Sequence, residues 1–358
     1  MLSLEKAKVY DIKQEDDDIQ MLQISIVGGC DKALNYVKET GRCNIGDVIY
    51  VNTIGVRLGL GTSGYHIVYC NISRNPEIEA KYDRAEGHII KMKYTPMQFR
   101  VKSIEEYDEF RSLFDSPVDL NGKPVIYAML HSMLPPVACT IKYQNPDVRI
   151  TCIYTYGGSM NAKNSFILRE LKSKGLVDYI VTVGECHGGD FEAINIYTAL
   201  IYSFMKLSSD VVIVCCGPGI AGTSTYYGFS TLDFILPVYA GKSLGCTPIL
   251  IPRVSFSEER RRHTGLSMQT VALLSCLDFP VYVPFLKNEG LSMIYSILEK
   301  NRINKKHNIK EVPEAFAKIS MKKWGIDGKV MGRSYNEDAY YFENCSAAGI
   351  FALKIMLI

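Results

Sequence analysis

Apolar and polar positions change rhythm about a third of the way along the chain. Up to residue 100, short alternating runs recur: Lys8–Ile12, Met21–Val27, Asp47–Asn52 and Tyr65–Ile72. Turn signals separate them at Gly28-Gly29, Gly41, Gly46 and the glycines between 59 and 64. Period-two alternation predicts half-buried strands, and short strands at this spacing predict a small β-barrel or sandwich domain over residues 1–100. Within it, residues 75–87 read as a polar, charged loop. Residues 101–123 are acidic and turn-rich, a linker with one short helix near Glu105–Phe114.

From Pro124 onward, unbroken apolar runs alternate with longer helical segments. The runs Val125–Leu130, Arg149–Tyr154, Tyr179–Val183, Val211–Cys216, Pro248–Ile251 and Val281–Phe285 have the continuous apolarity of strands buried on both faces. Helices are expected near Pro135–Tyr143, Ala162–Lys174, Phe191–Leu207, Leu232–Leu244, Ser267–Leu277 and Gly290–Asn301. This succession predicts a Rossmann-like three-layer α/β/α domain with a mostly parallel sheet over residues 124–301. Residues 302–358 read as a C-terminal helical extension packing on that domain.

Length and composition narrow the partners. At 358 residues the chain suggests about two domains. A net charge of +2 argues against nucleic acid or a membrane surface held by bulk charge. The 11 cysteines are odd in number, several lie inside apolar runs, and none forms a CxxC pair. They read as small buried hydrophobes, not as a disulfide framework or a zinc site. The N-terminus lacks an apolar signal region, and no uncharged apolar run reaches about 18 residues, so the expectation is a cytoplasmic protein without a membrane span.

Ligands of open α/β sheets bind outside the carboxyl ends of the strands. The segments just after the predicted strands carry reactive or glycine-rich groups in five loops. These are His131-Ser132; Gly157-Gly158-Ser159; Gly184-Glu185-Cys186-His187-Gly188-Gly189-Asp190; Gly217-Pro218-Gly219-Ile220-Ala221-Gly222-Thr223; and Arg253-Val254-Ser255, continuing to Glu258, Arg260–Arg262 and His263. The spacing of Gly217, Gly219 and Gly222 satisfies a dinucleotide fingerprint, and a helix N-terminus placed there would offer N–H groups to a phosphate. No acidic residue succeeds the next strand, which turns the reading from a redox cofactor towards a phosphate or carboxylate cradle with Arg253 as charge partner. Thr223, Ser255 and His263 join Gly157, Gly158, Gly188 and Gly189 as ligand-contacting candidates. His131, Glu185 and His187 are the candidates for proton transfer. Alternatively, Asp190 caps a helix beginning at Phe191 and Glu192 favours its positive end, or Cys186, His187, Asp190 and Glu192 hold a metal, a set without familiar spacing. Ser132 lacks the surrounding G-x-S-x-G of a nucleophile elbow. In the first domain, Arg57 to His66 reads as a long hairpin, or as a lip carrying Arg57 or His66.

Several segments together resemble an uncharacterised bacterial family, about 360 residues long, catalogued as a domain of unknown function. They are LHSM from Leu130, GECHGGDFEAIN, GPGIAGTSTYYGFS, PRVSFSEERRRHTGLS, NTIGVRLGLGTSGYH and GHIIKMKYTP. The resemblance implies a cytoplasmic bacterial protein of two parts and carries no established activity. Where this chain has Tyr156, relatives tend to carry Asp, and where it has Met268-Gln269, a pair of His.

The functional expectation is a protein that binds a small phosphate- or carboxylate-bearing metabolite at the sheet edge, with a nucleotide possible and a metal not expected. Hydrolysis or group transfer is favoured over redox chemistry. The alternative is a non-catalytic module that senses a metabolite or binds a partner. A homodimer is expected on general grounds alone.

Overall fold

The computed structural model describes residues 2–59, 64–73, 87–288 and 290–357. The glycine-rich residues 60–63 and nearly all of the expected loop 75–87 lie outside the described residues. The chain divides into two compact units: Met1–Glu86 with Tyr94–Gln98, and Gly87–Lys93 with Phe99–Ile358.

The first unit is a closed five-stranded barrel. Its strands are β1 (Leu4–Glu15), β2 (Ile19–Ile26), β3 (Gly29–Tyr36), β4 (Val48–Asn52) and β5 (His66–Asn71), in the order β1-β2-β3-β5-β4. Alternation does what the sequence predicts: Ala7 and Val9, Leu22 and Ile24, Ile49 and Val51, and Val68 point inward into one core. Strand β3 is the one the sequence hides. Gly28 and Gly29 were expected only as a turn, but Gly29 also opens a strand that pairs with β2 along its whole length. Both glycines have positive φ (103° and 143°), which closes the hairpin without a Cβ penalty. Arg57 is ion-paired with Glu5, and the ring of His66 lies 3.0 Å from Asp31, both inside this unit.

The second unit begins with a short hairpin, β6 (Ile89–Lys91) and β7 (Phe99–Val101). The expected linker 101–123 belongs to this unit, since Ile104, Phe110 and Leu120 are buried in its core. Next come β8 (Pro124–Ala128), β9 (Ile150–Thr155), β10 (Tyr179–Val183), β11 (Phe191–Ala193), β12 (Val211–Cys216) and β13 (Thr247–Leu250). A two-stranded ribbon comes after them, β14 (Val254–Ser255) and β15 (Gly265–Leu266), and then β16 (Tyr282–Leu286) and β17 (Asn308–Val312). Eight of these form one sheet in the order β11-β10-β9-β12-β8-β13-β16-β17, and every pairing in it is parallel. Every residue of β8, β9 and β12 is buried, as their unbroken apolar runs require. Each fully buried Val or Ile there is worth about 1.5–3 kcal/mol. The helix Leu134–Gln144 is buried along most of its length because Ala339–Ile355 and Ala317–Trp324 pack against it. The C-terminal region thus supplies β17 as well as helices. Among the described residues, no helix is long and apolar enough to cross a membrane.

One expected helix starts later than predicted. Phe191–Ala193 pairs with β10 as an edge strand, and the helix begins at Ile196 with Asn195 accepting from the Tyr197 and Thr198 N–H groups. Asp190 is therefore not a helix cap. Its carboxylate accepts from Ile180 N–H at 2.8 Å and pairs with Lys172 at 2.7 Å. Nor does Glu192 sit at a helix end: it is part of β11.

Candidate functional site

Because all eight strands are parallel, the five loops emerge at one edge of the sheet. Hydrogen bonds tie them to each other. His187 N–H donates to Met160 O (3.0 Å) and Ala162 N–H to His187 O (2.8 Å), joining the loops after β10 and β9. Ser159 N–H donates to Pro218 O at 2.7 Å and Ser230 Oγ to Gly157 O at 2.5 Å, joining those after β9 and β12. Arg262 Nη1 donates to Ser224 Oγ at 3.0 Å, joining β12 to β13.

The glycines of the β9 and β12 loops allow two backbones to touch. A Cβ on Gly158 would lie 2.1 Å from Gly217 O, and one on Gly217 would lie 1.9 Å from the Tyr154 hydroxyl oxygen. Beyond them the segment folds back as a tight loop instead of opening a helix. Thr223 N–H donates to Gly228 O, Ser230 N–H to Ala221 O and Ala221 N–H to Ser230 Oγ. A 3₁₀ turn over Ser230–Phe234 leads into the helix Ile235–Ser243, so the helical segment begins beside Ala221 and Gly222 and is not opened by the glycines themselves. The N–H groups of Gly219, Ile220 and Gly222 have no hydrogen-bond partner among the described residues. A Cβ on Gly222 would lie 3.6 Å from the Gln269 amide nitrogen, so the loop reaches the start of the next helix.

His131 is nearly buried and uses both ring nitrogens. Nδ1 lies 2.9 Å from Cys216 O and Nε2 lies 2.5 Å from Ser165 Oγ. A carbonyl only accepts, so Nδ1 carries the hydrogen. Ser165 Oγ already accepts from Leu168 N–H as the cap of the helix Phe166–Ser173, so its own hydrogen points to Nε2. Sequence reading missed Ser165. Its local signal is that of an N-cap, and only the fold brings it to a histidine 34 residues away.

Around the β10 loop, charges are already paired. Glu185 is ion-paired with Lys93 and accepts from Met92 N–H, and the bond from Lys93 holds its carboxyl below the usual range. A carboxylate held ionised in this way carries no proton to donate at neutral pH and is a weakened base. His187 Nδ1 lies 3.2 Å from Glu185 O, with its ring edge-on to Phe99. Gly188 N–H donates to Glu192, which also takes Thr182 Oγ1 and the buried ammonium of Lys91. Gly189 packs against β10, where a Cβ would meet Ile180 O at 2.8 Å. The Tyr156 hydroxyl lies over this turn and accepts from Glu185 N–H at 3.3 Å.

Beyond β13 lies a buried ionic network. Arg253 donates to Gln269 Oε1 at 3.0 Å and to Glu258 Oε2 at 3.2 Å. Glu258 also accepts from Arg260 (2.8 Å) and Arg333 (3.3 Å). Arg333 reaches Asp338 at 3.1 Å, and Ser255 Oγ donates to the same carboxylate at 2.6 Å. Three guanidinium groups thus face two carboxylates. The bond from Arg260 is the main reason the Glu258 carboxyl is pulled down to about 2. His263 Nε2 accepts from Arg262 Nε, and Nδ1 bonds Ser267 Oγ at 2.7 Å. Burial, reinforced by Arg253, Arg260 and Arg262, pushes His263 down to about 4, so it is neutral at pH 7. Two buried atoms in this network, Arg253 Nε and Asp338 Oδ1, have no hydrogen-bond partner among the described residues. Arg333 and Asp338 were also missed from sequence; they pair with each other, and Glu258 and Ser255, the groups they bind after β13, lie 75 or more residues away.

A cavity of about 430 Å³ opens elsewhere, lined by Lys318, Lys322, Asp327, Lys329, Ser334 and Tyr335 among others, and none of the five loops contributes to it. No curated protein matches the chain. A family model covers residues 32–349, from the third barrel strand into the last helix. The chain therefore belongs to the family described as protein of unknown function DUF3866.

Proposed function

We propose that the protein binds a small anionic metabolite, bearing phosphate or carboxylate, at the carboxyl edge of the parallel sheet. The observation that carries this reading is the unpartnered Nε donor of the buried Arg253, within a network of three guanidinium groups and two carboxylates. A buried donor on a charged group left without an acceptor costs about 1–3 kcal/mol, and an anion oxygen would remove that cost. Burial is the main reason His263 is held neutral, and the repulsion from Arg253, Arg260 and Arg262 that adds to it is a second sign of positive potential there. Gln269 accepts from Arg253 and lies beside Gly222, so the free N–H groups of the glycine loop are two contacts from the guanidinium. Ser255 and His263 support the network through Asp338 and Ser267.

The test is calorimetric titration of the wild-type chain with inorganic phosphate, sulfate and short mono- and dicarboxylates, repeated on Arg253→Gln. The reading expects millimolar or tighter binding of at least one anion and its loss in the variant. A wild-type chain that binds none of them overturns it, whatever the variant does.

A further inference from the structure

We propose that Ser165 and His131 form a nucleophile–base pair for acyl transfer, acting on esters of small carboxylic acids. The inference is independent of the anion site, whose residues are different. Its basis is a three-part relay: Ser165 Oγ to His131 Nε2 at 2.5 Å, and His131 Nδ1 to the backbone carbonyl of Cys216 at 2.9 Å. Nucleophilic serine chemistry needs a base within hydrogen-bond reach of the hydroxyl and a third group that fixes the base's tautomer. The carbonyl at the end of β12 performs the third role, and the end of β8 delivers the histidine.

The position of Ser165 supplies what the developing charge requires. It stands immediately before an eight-residue helix, and the N–H groups of Phe166 and Ile167 have no partner among the described residues. The N–H of the residue after the nucleophile is the usual donor to a tetrahedral oxyanion. The loop that leads to Ser165 exposes Tyr156 and Met160, and the first residue of the helix after it exposes Phe166, apolar groups suited to an acyl or aryl substituent. Ser165 is 2% and His131 8% exposed, which restricts access to small acyl groups. Cys215 is the competing nucleophile beside His131. Its hydrogen bond with Cys152, together with complete burial, raises its thiol far above the usual range and keeps it protonated.

The chemistry balances with water as the only co-substrate. Ser165 Oγ attacks the ester carbonyl while its proton passes to His131 Nε2. The oxyanion collapses, the C–O bond to the alcohol breaks, and His131 returns the proton to the departing alkoxide. Water then adds to the acyl-serine, with His131 again taking and returning a proton, to release the acid.

The experiment is mapping by mass spectrometry after treating the folded wild-type chain with a small alkyl fluorophosphonate and, separately, with p-nitrophenyl acetate. The expected result is a single adduct on Ser165, absent in Ser165→Ala. In His131→Gln, shown to be folded by its thermal transition, labelling should slow about 100-fold or more. A wild-type chain that stays unlabelled, or is labelled only at another residue, overturns the proposal, as does His131→Gln labelling at the wild-type rate. Phosphate binding that persists in a chain whose Ser165 does not react would leave the anion reading standing and remove only this one.

Discussion

Glu258→Gln tests whether the network beyond β13 is held by charge. The carboxylate is 5% exposed and accepts from Arg253, Arg260 and Arg333, at 2.8–3.3 Å. Its carboxyl is lowered from 4.5 to about 2. At about 1.4 kcal/mol per unit, that difference stabilises the folded state by about 3 kcal/mol at neutral pH. That figure sits at the lower end of the about 3–5 kcal/mol cost of breaking a buried ion pair, which is the same loss counted from the guanidinium side. The pH dependence makes the test specific. A lowered carboxyl contributes its full stability above its unfolded value of about 4.5 and loses it as pH falls towards 2. The gap between wild type and Glu258→Gln should therefore hold near 3 kcal/mol from pH 7 to pH 5 and close below pH 4.5. Urea unfolding read by Trp324, the single tryptophan and a member of the second unit, measures it. A gap under about 1 kcal/mol at pH 7, or one that does not narrow in acid, refutes the reasoning.

The same geometry predicts three more outcomes. Gly158→Ala and Gly217→Ala each force a Cβ to within about 2 Å of an oxygen and should lower the melting temperature sharply. Gly219→Ala meets no atom within 4 Å and bears only the cost of its φ of +89°, about 1–2 kcal/mol; equal losses in all three would show the glycines are not there for close approach. His263, lowered from 6.5 to about 4, should take up to about 3 kcal/mol of stability with it as pH falls through that window. The fall should be absent in His263→Gln, and ring resonances that titrate near 6.5 in the folded chain would disprove the shift. Lys91→Met strips the ammonium from the Glu192 carboxylate while Gly188 and Thr182 still hold it, so chemical denaturation should register a loss of about 3 kcal/mol or more, and a loss below about 1 kcal/mol would mean that the pair is solvated.

The sheet was legible because its signal is local. Tyr179–Val183 and Val211–Cys216 are continuous apolar runs, and their bounds in the fold are those read from sequence. Elements whose form depends on a distant partner were not. β17, the run NIKEV, has mostly exposed side chains, and only pairing with β16 makes it a strand. Phe191–Ala193 has the composition of the helix after it, but β10 claims its backbone, and the cap that starts the helix is Asn195. The site divides in the same way. His131 and Arg253 could be picked out because they come directly after strands. Ser165, Arg333 and Asp338 could not, because nothing in their own segments announces the groups that the fold places beside them.

The end of β8 joins the two halves of the edge. His131 and Ser132 are consecutive in a tight 3₁₀ turn, where successive side chains diverge by about 120°. One turns to Ser165 and the Cys216 carbonyl. The other bonds the Tyr341 hydroxyl at 2.7 Å, and Tyr341 lies buried within the electrostatic reach of Arg253 and Asp338. A displacement of this one turn would therefore act on the serine–histidine pair and on the arginine network together. Binding at Arg253 that shifts Tyr341 would reach the base through one hydrogen bond, to Ser132, and the peptide bond between Ser132 and His131. This connection separates a catalytic site with an anion-binding arm from two unrelated clusters, since in the first case an anion bound at Arg253 alters the rate of labelling at Ser165 and in the second it does not.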